Sequence, residues 1–112
     1  MPLTQWSDEI LIAELSDEPH FSEDLTAVMR HFEDGTTAPD LVLDMKNVTY
    51  LNSTNIAQLL RLRKKVTSAD KRMKICAVPD GVWGVLMVTG LDKLFEFTDD
   101  VSTSLASLQL GL

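Results

Sequence analysis

Three apolar segments along the chain have the pattern of buried β-strands. They are residues 9–15, 41–45 and 74–78, and none of them alternates cleanly between polar and apolar positions. Strands that are covered on both faces show this continuous pattern, as in a parallel or mixed sheet. A shorter apolar run at residues 94–97 predicts a further strand. The hydrophobic pattern therefore predicts a sheet that is buried on both sides.

Between these segments the apolar period lengthens to about 3.6 residues, which is typical of amphipathic helices. The first helix is expected to begin near Ser22, a possible N-cap. Its end is expected at Gly35, because glycine accepts the left-handed backbone of a helix end. This interpretation leaves His20 in a loop before the helix and His31 on its outer face.

Three further helices follow from the same periodicity. The second is expected over residues 54–69, and a third, shorter one ends at Gly90. The last is expected over residues 99–108, with Asp99 or Asp100 as its N-cap. The buried stripe of the second helix is predicted to consist of Ile56, Leu59, Leu60 and Val66.

Strands that alternate with helices of this length imply crossover connections and helices packed on a sheet. A chain of 112 residues has room for one such core. Residues 1–112 are therefore expected to form a single α/β domain. Its mixed, four- to five-stranded β-sheet is predicted to pack with about four α-helices.

Composition and charge narrow the functional classes. Seventeen acidic and ten basic residues give a net charge of −7, which argues against a general nucleic-acid binder. The first residues lack the basic and apolar regions of a signal peptide, and no apolar run reaches the ~20 residues that span a bilayer. A single cysteine fits a reducing compartment. We therefore expect a cytoplasmic domain that binds no nucleic acid and inserts into no membrane.

The charges are unevenly distributed along the chain. Residues 1–44 hold eleven acids and one base, whereas seven of the ten bases lie between Arg61 and Lys74. One interpretation is a solvated basic helix face beside acidic loops. The other is an electrostatic docking surface that speeds the encounter with a partner.

Residues that could support catalysis or metal binding are scarce. His20, His31 and Cys76 do not provide the ligand spacing of a zinc site, and the five glycines form no phosphate-binding loop. The neighbouring acid pairs are explained as helix caps and solvated loops. The sequence predicts a protein that is not an enzyme and that needs no cofactor.

One polar segment stands out between an apolar turn and the second helix. It consists of Asn52, Ser53, Thr54 and Asn55, any of which could cap the helix. Asn55 and Gln58 also have the spacing of a capping box. The segment follows a predicted strand, so it is expected near the carboxyl end of that strand, where α/β sheets bind ligands. A phosphate would fit there, because helix N-termini attract negative charge.

Three sequence motifs in this order resemble the STAS domains, and in particular the bacterial anti-sigma factor antagonists. Residues 41–51 resemble the strand, Asp and turn that lead into the family's phosphoacceptor loop. Residues 52–55 stand in the place of the family's Asp-Ser-Ser/Thr-Gly, and residues 89–95 resemble the Thr-Gly-Leu-Asp-Lys-Leu stretch after its third helix. A looser match at residues 14–17 resembles a Gly-Glu-Leu-Asp motif.

The resemblance implies a protein-binding switch with Ser53 as the phosphorylated residue. The implied partners are an anti-sigma factor that is also a serine kinase with a histidine-kinase-like ATPase fold, and a serine phosphatase. The resemblance also implies partner contacts at Asn52, Ser53, Thr54 and Asn55, and a short first strand at residues 3–6. A monomer or weak dimer is expected.

Two departures from the family pattern keep other functions open. Asn52 replaces the family's Asp, and Asn55 replaces its Gly, which would add a side chain where the partner's backbone approaches. One alternative is a constitutive STAS adaptor, such as a subunit of a lipid-transport ATPase or a signalling scaffold, without phosphorylation. Another is a small-ligand or nucleotide-binding module that uses the same loop and the basic residues Arg61, Lys64 and Lys65.

Overall fold

Five strands and four helices succeed one another in the computed structural model, which describes residues 2–33 and 37–111. The strands are β1 (Leu3–Gln5), β2 (Ile10–Ser16), β3 (Asp40–Asn47), β4 (Met73–Cys76) and β5 (Glu96–Thr98). The helices are α1 (His20–Arg30), α2 (Ser53–Ser68), α3 (Asp80–Val88) and α4 (Val101–Leu110), with a 3-10 turn at Leu91–Lys93.

The strands form one mixed sheet in the order β1-β2-β3-β4-β5. β1 pairs antiparallel with β2, and every other neighbouring pair is parallel. Parallel neighbours require a crossover, and α1, α2 and α3 provide the three crossovers. The predicted α/β fold with a mixed sheet and four helices is confirmed, and the predicted first strand is present at the sheet edge.

The two faces of the sheet carry separate apolar clusters. Leu41, Leu43 and Met45 of β3 belong to the larger cluster, which also contains residues of α1, α2 and α3. Val42, between them, belongs to the smaller cluster with Leu108 of α4. Successive side chains along a strand point to opposite faces of the sheet, and both faces are covered here. All residues of β3 from Leu41 through Met45 are therefore buried. This two-sided cover explains the apolar runs in the sequence.

The start of α1 differs from the prediction. The helix begins at His20, so the placement of His20 in a loop is wrong, and its N-cap is Pro19, which makes no side-chain cap hydrogen bond. Ser22 is the third residue of the helix and not its N-cap, and its hydroxyl donates to the Glu18 carboxylate. The described helix ends at Arg30, and the predicted stop at Gly35 lies outside the described residues.

The buried stripe of α2 is rotated from the predicted one. Leu60 is 38% exposed, whereas Leu62, which was not in the predicted stripe, is buried. The buried residues of α2 fall on one face at helical spacing. They are Asn55, Leu59, Leu62 and Val66.

The later helix boundaries agree with the sequence patterns. α3 ends before Gly90, whose φ of 77° is the left-handed conformation expected there. At the start of α4, the Asp100 carboxylate accepts from the Thr103 N–H at 2.7 Å, so Asp100 and not Asp99 is the N-cap.

Cys76 is a buried packing residue between the sheet and α4. Burial raises the pKa of its thiol to about 11, because the thiolate would lose its hydration. We expect no reaction of Cys76 with iodoacetamide in the folded protein at pH 8, and complete alkylation after unfolding in urea. Intact-protein mass spectrometry measures both, and rapid alkylation of the folded protein would contradict this packing.

Candidate functional site

Two loops meet at the carboxyl edge of the parallel strands β2 and β3. The β2–α1 loop carries Asp17, and the β3–α2 loop carries Thr49. The Asp17 carboxylate accepts hydrogen bonds from the Thr49 N–H at 2.8 Å and from the Thr49 hydroxyl at 2.5 Å. These bonds fix the loop that leads into α2.

A reciprocal capping box begins α2. The Asn52 side-chain oxygen accepts from the Asn55 N–H at 2.8 Å, and the Asn55 side-chain oxygen accepts from the Asn52 N–H at 3.1 Å. Among the four possible caps, Asn52 is therefore the N-cap. The box predicted between Asn55 and Gln58 is wrong, because Asn55 occupies the third helical position and closes the box with Asn52.

The side chain of Asn55 points into the protein. Asn55 is 1% exposed, and its Nδ2 lies 3.3 Å from both a Glu18 oxygen and the Gln58 amide oxygen. Gln58 in turn donates to the Ser22 hydroxyl at 3.0 Å, and Ser22 donates to Glu18. This polar network joins the first turns of α1 and α2.

The network corrects one expectation about the loop. Asn55 was expected to add a side chain toward an approaching partner, but its amide is turned inward and satisfies Glu18 and the Asn52 N–H. Its side chain therefore does not reach the surface where a partner would dock. Asn52, Ser53 and Thr54 are exposed, so these three remain the predicted partner contacts.

Ser53 is the first residue of α2, and its side chain is exposed. Its hydroxyl forms no hydrogen bond within residues 2–33 and 37–111. The capping box uses the N–H groups of Asn52 and Asn55, so those of Ser53 and Thr54 point outward without a partner among the described residues. No acidic side chain lies in this first turn. The arrangement can accept a negatively charged group.

Exposed apolar side chains in this loop and at the C-terminal end of α3 were not predicted from the sequence as site residues. Tyr50 is 48% exposed in the loop, and Met87 and Val88 of α3 are 55% and 89% exposed. The first turn of α3 borders the loop, because a β-carbon at Gly81 would lie 3.8 Å from the Thr49 carbonyl oxygen. For Met87 and Val88, the only signal in the sequence is the high apolar content of α3, and a buried helix would have the same content.

Two motif residues have structural roles. Asp44 is 2% exposed, and its carboxylate accepts from the Lys46 N–H at 3.1 Å and lies 3.6 Å from the Lys46 ammonium. Gly90 provides the left-handed turn between α3 and the following 3-10 turn. These residues explain two parts of the sequence pattern through the fold.

The loop carboxylates are expected to make folding sensitive to acid. Hydrogen bonds from Thr49 lower the pKa of Asp17, and those from Ser22 lower the pKa of Glu18. A lowered pKa favours the folded state while the group is ionised. This stabilisation is fully present above the ordinary values of 3.8 and 4.5, and it is lost as the pH falls through the lower folded-state values.

The variant Asp17→Asn tests this pH dependence. Urea unfolding between pH 7 and pH 3 is expected to show a lower stability at pH 7 and a shallower fall toward acid than in the unmodified protein. Asp8→Asn is the matched control, because Asp8 is exposed and forms no hydrogen bond within the described part of the chain. Equal acid dependence of all three proteins would show that the Asp17–Thr49 contact contributes nothing.

The described residues offer no group of histidine, cysteine and acidic side chains that could hold a metal ion. His20 lies 3.3 Å from Glu23, and both side chains are exposed. No helix in the described ranges is long and apolar enough to cross a membrane. The exposed Ser53 side chain at the N-terminus of α2 makes this arrangement the candidate functional site.

Comparisons with known proteins agree with the fold and the motifs. A family model for the STAS domain matches residues 7–104. The anti-sigma-B factor antagonist of Staphylococcus aureus is 28% identical over 81 residues, which cover 72% of this chain and 70% of that protein.

Two solved structures share the fold. An anti-sigma-factor antagonist (STAS) domain protein from Planctomyces limnophilus has a TM-score of 0.80 at 16% identity, with 96% of both chains covered. A sulfate transporter family protein from Wolinella succinogenes has a TM-score of 0.76 at 18% identity, covering 90% of this chain and 85% of that one. The predicted resemblance is confirmed: the chain belongs to the STAS domain family.

Proposed function

We propose that this protein is an anti-sigma factor antagonist that acts by binding and not by catalysis. Its partner would be an anti-sigma factor that is also a serine kinase, and the docking surface would be the start of α2. The observation that carries this proposal is the exposed Ser53 hydroxyl at a helix N-terminus, where the N–H groups of Ser53 and Thr54 have no partner within residues 2–33 and 37–111. The similarity to the Staphylococcus aureus antagonist supports the same function.

Phosphorylation of Ser53 would switch this binding off through charge. A phosphate brings roughly −1.5 to −2 charges and three acceptor oxygens. The N–H groups of Ser53 and Thr54 and the positive end of the α2 dipole would stabilise it, so the fold would persist. The partner surface that fits a neutral hydroxyl would then face a desolvated anion, and the complex would dissociate.

The loop side chains leave proton removal from Ser53 to the kinase. Asn52 has an amide instead of a carboxylate, and its oxygen is occupied by the Asn55 N–H. An amide does not act as a general base, so the kinase would supply the base that accepts the hydroxyl proton. A serine phosphatase would hydrolyse the phosphoserine and restore the binding form in the cytoplasm.

Paired affinity capture tests the proposed partner. Wild type and Ser53→Glu are used as baits in a lysate of the source cell, and retained proteins are identified by mass spectrometry. We expect wild type to retain a small ATP-binding serine kinase that the variant does not retain. Capture of the same partner by both baits would contradict the switch.

A second candidate function is a constitutive adaptor, for example in a lipid-transport ATPase or a signalling scaffold. The observation that favours it is Asn52, which caps α2 and offers no carboxylate beside Ser53. An adaptor would form a stable complex with a transporter or scaffold protein, and Ser53→Glu would leave that complex intact. The same capture therefore distinguishes the two functions.

A further inference from the structure

A basic cleft lies between the C-terminal parts of α1 and α2, away from the start of α2. It has a volume of about 500 Å³. Its lining residues are Phe32, Arg61, Lys64, Lys65, Ser68 and Ala69. Arg61 and Lys64 are exposed, and Lys65 is half-buried. We call this feature the basic cleft.

Within the described part of the chain, the cations of the basic cleft lack the internal partners that Arg63, Arg72 and Lys74 have. Arg72 and Lys74 both pair with Glu96, and Arg63 donates to the Leu94 carbonyl. By contrast, the three cleft cations have no carboxylate within 4.0 Å among the described residues. Mutual repulsion in such a cluster is relieved when an anion binds.

The position of the cations along α2 indicates the kind of anion. Lys64 and Lys65 follow Arg61 at i+3 and i+4, so about 5–6 Å along the helix surface separates Arg61 from each of the two lysines. Backbone N–H groups in this half of α2 are used in hydrogen bonds within the helix. The described residues offer no backbone cradle for a compact phosphate there, whereas carboxylates spaced along a chain match the separated cations.

The lining of the basic cleft also includes apolar side chains, which favour an apolar side chain in the bound segment. Phe32 is a half-buried aromatic residue that packs against the core, and Ala69 lies in the same lining. Burial of an apolar side chain against this aromatic surface would be favourable. The cleft therefore suits a segment that carries both carboxylates and an apolar side chain.

The geometry points to the basic cleft as a docking site for an acidic segment of a protein partner, in which Asp or Glu alternates with apolar residues. The protein has a net charge of −7, so an acidic chain would be repelled by most of its surface and directed to the cleft. Arg61 lies eight residues beyond Ser53, about 12 Å along α2. The docking site requires no phosphorylation, so it is independent of the proposed function.

Fluorescence anisotropy with a short fluorescein-labelled peptide of glutamate and leucine tests the docking site. Binding to wild type is expected to weaken with salt and to weaken when serine replaces leucine in the peptide. Lys64→Glu is expected to reduce the affinity about tenfold, because a cation that attracts the peptide becomes an anion that repels it. Lys93→Glu is the matched control, with the same charge change at an exposed lysine outside the cleft.

Four other outcomes would overturn the proposal. Two of them are an absence of peptide binding to wild type and an equal loss of affinity in Lys64→Glu and Lys93→Glu. Displacement of the peptide by inorganic pyrophosphate at equal concentration would indicate a compact-anion site instead. Self-association of wild type that Lys64→Glu abolishes, measured by sedimentation, would make a second copy of the chain the occupant.

Discussion

Replacement of Ser53 by glutamate is expected to weaken binding of the anti-sigma factor at least about 100-fold, with the fold unchanged. The reason is that a carboxylate without a partner, buried in the interface, costs about 3–5 kcal/mol. Within the free protein, the same carboxylate lies at the N-terminus of α2, where negative charge is favourable by about 0.3–1 kcal/mol. Isothermal titration with the captured partner measures the affinity, and urea unfolding measures the stability.

The chain offers a matched control for this variant. Ser102 is an exposed serine in the first turn of α4. As in α2, the side chain of the N-cap residue of α4 accepts a hydrogen bond from a backbone N–H. Ser102→Glu should bind the partner as wild type does, because α4 lies on the other face of the sheet from α2. Equal loss of binding in both variants would mean that total charge, and not the position of Ser53, determines the affinity.

Replacement of Asn55 by alanine is expected to destabilise the protein by about 1–3 kcal/mol. Asn55 closes the capping box with Asn52 and contacts both Glu18 and Gln58 from a buried position. The substitution keeps the Asn52 cap but removes the side-chain oxygen that accepts from the Asn52 N–H and the amide that contacts Glu18, and buried polar groups left without a partner cost about 1–3 kcal/mol. Urea unfolding at pH 7 gives the change in the free energy of unfolding.

Asn47→Ala is the control for Asn55→Ala. Asn47 is an exposed asparagine at the end of β3, and its side chain forms no hydrogen bond within the described ranges. Its replacement is expected to change the stability by less than about 0.5 kcal/mol. Equal effects of the two substitutions would contradict a structural role of the network between α1 and α2.

The sequence predicted the elements of the fold well because the apolar pattern of β3 and the period of α2 are strong signals. The rotation of α2 was not predictable, because Leu59, Leu60 and Leu62 lie so close together that several faces are equally apolar. Packing against α1 and the sheet selects Leu62 and leaves Leu60 exposed. Such a choice depends on residues far away in the sequence.

The loop at the start of α2 shows the same limit at the candidate site. Its four small polar residues offered several equivalent caps, and the sequence placed Ser53 among them. The choice of Asn52 as N-cap accompanies the inward turn of Asn55, whose amide contacts Glu18, 37 residues earlier in the chain. The sequence of the loop itself cannot predict a contact between residues so far apart in the chain. These contacts explain how an asparagine fits at position 55, where the family has a glycine.

The most direct test of the Ser53 switch is to incubate the protein with the captured kinase and Mg-ATP. Mass spectrometry then maps the modified residue, and gel filtration reports whether the modified protein still binds the kinase. We predict one phosphate, on Ser53, and release of the phosphorylated protein. The switch would be contradicted by an unmodified Ser53 or by a phosphorylated protein that stays bound.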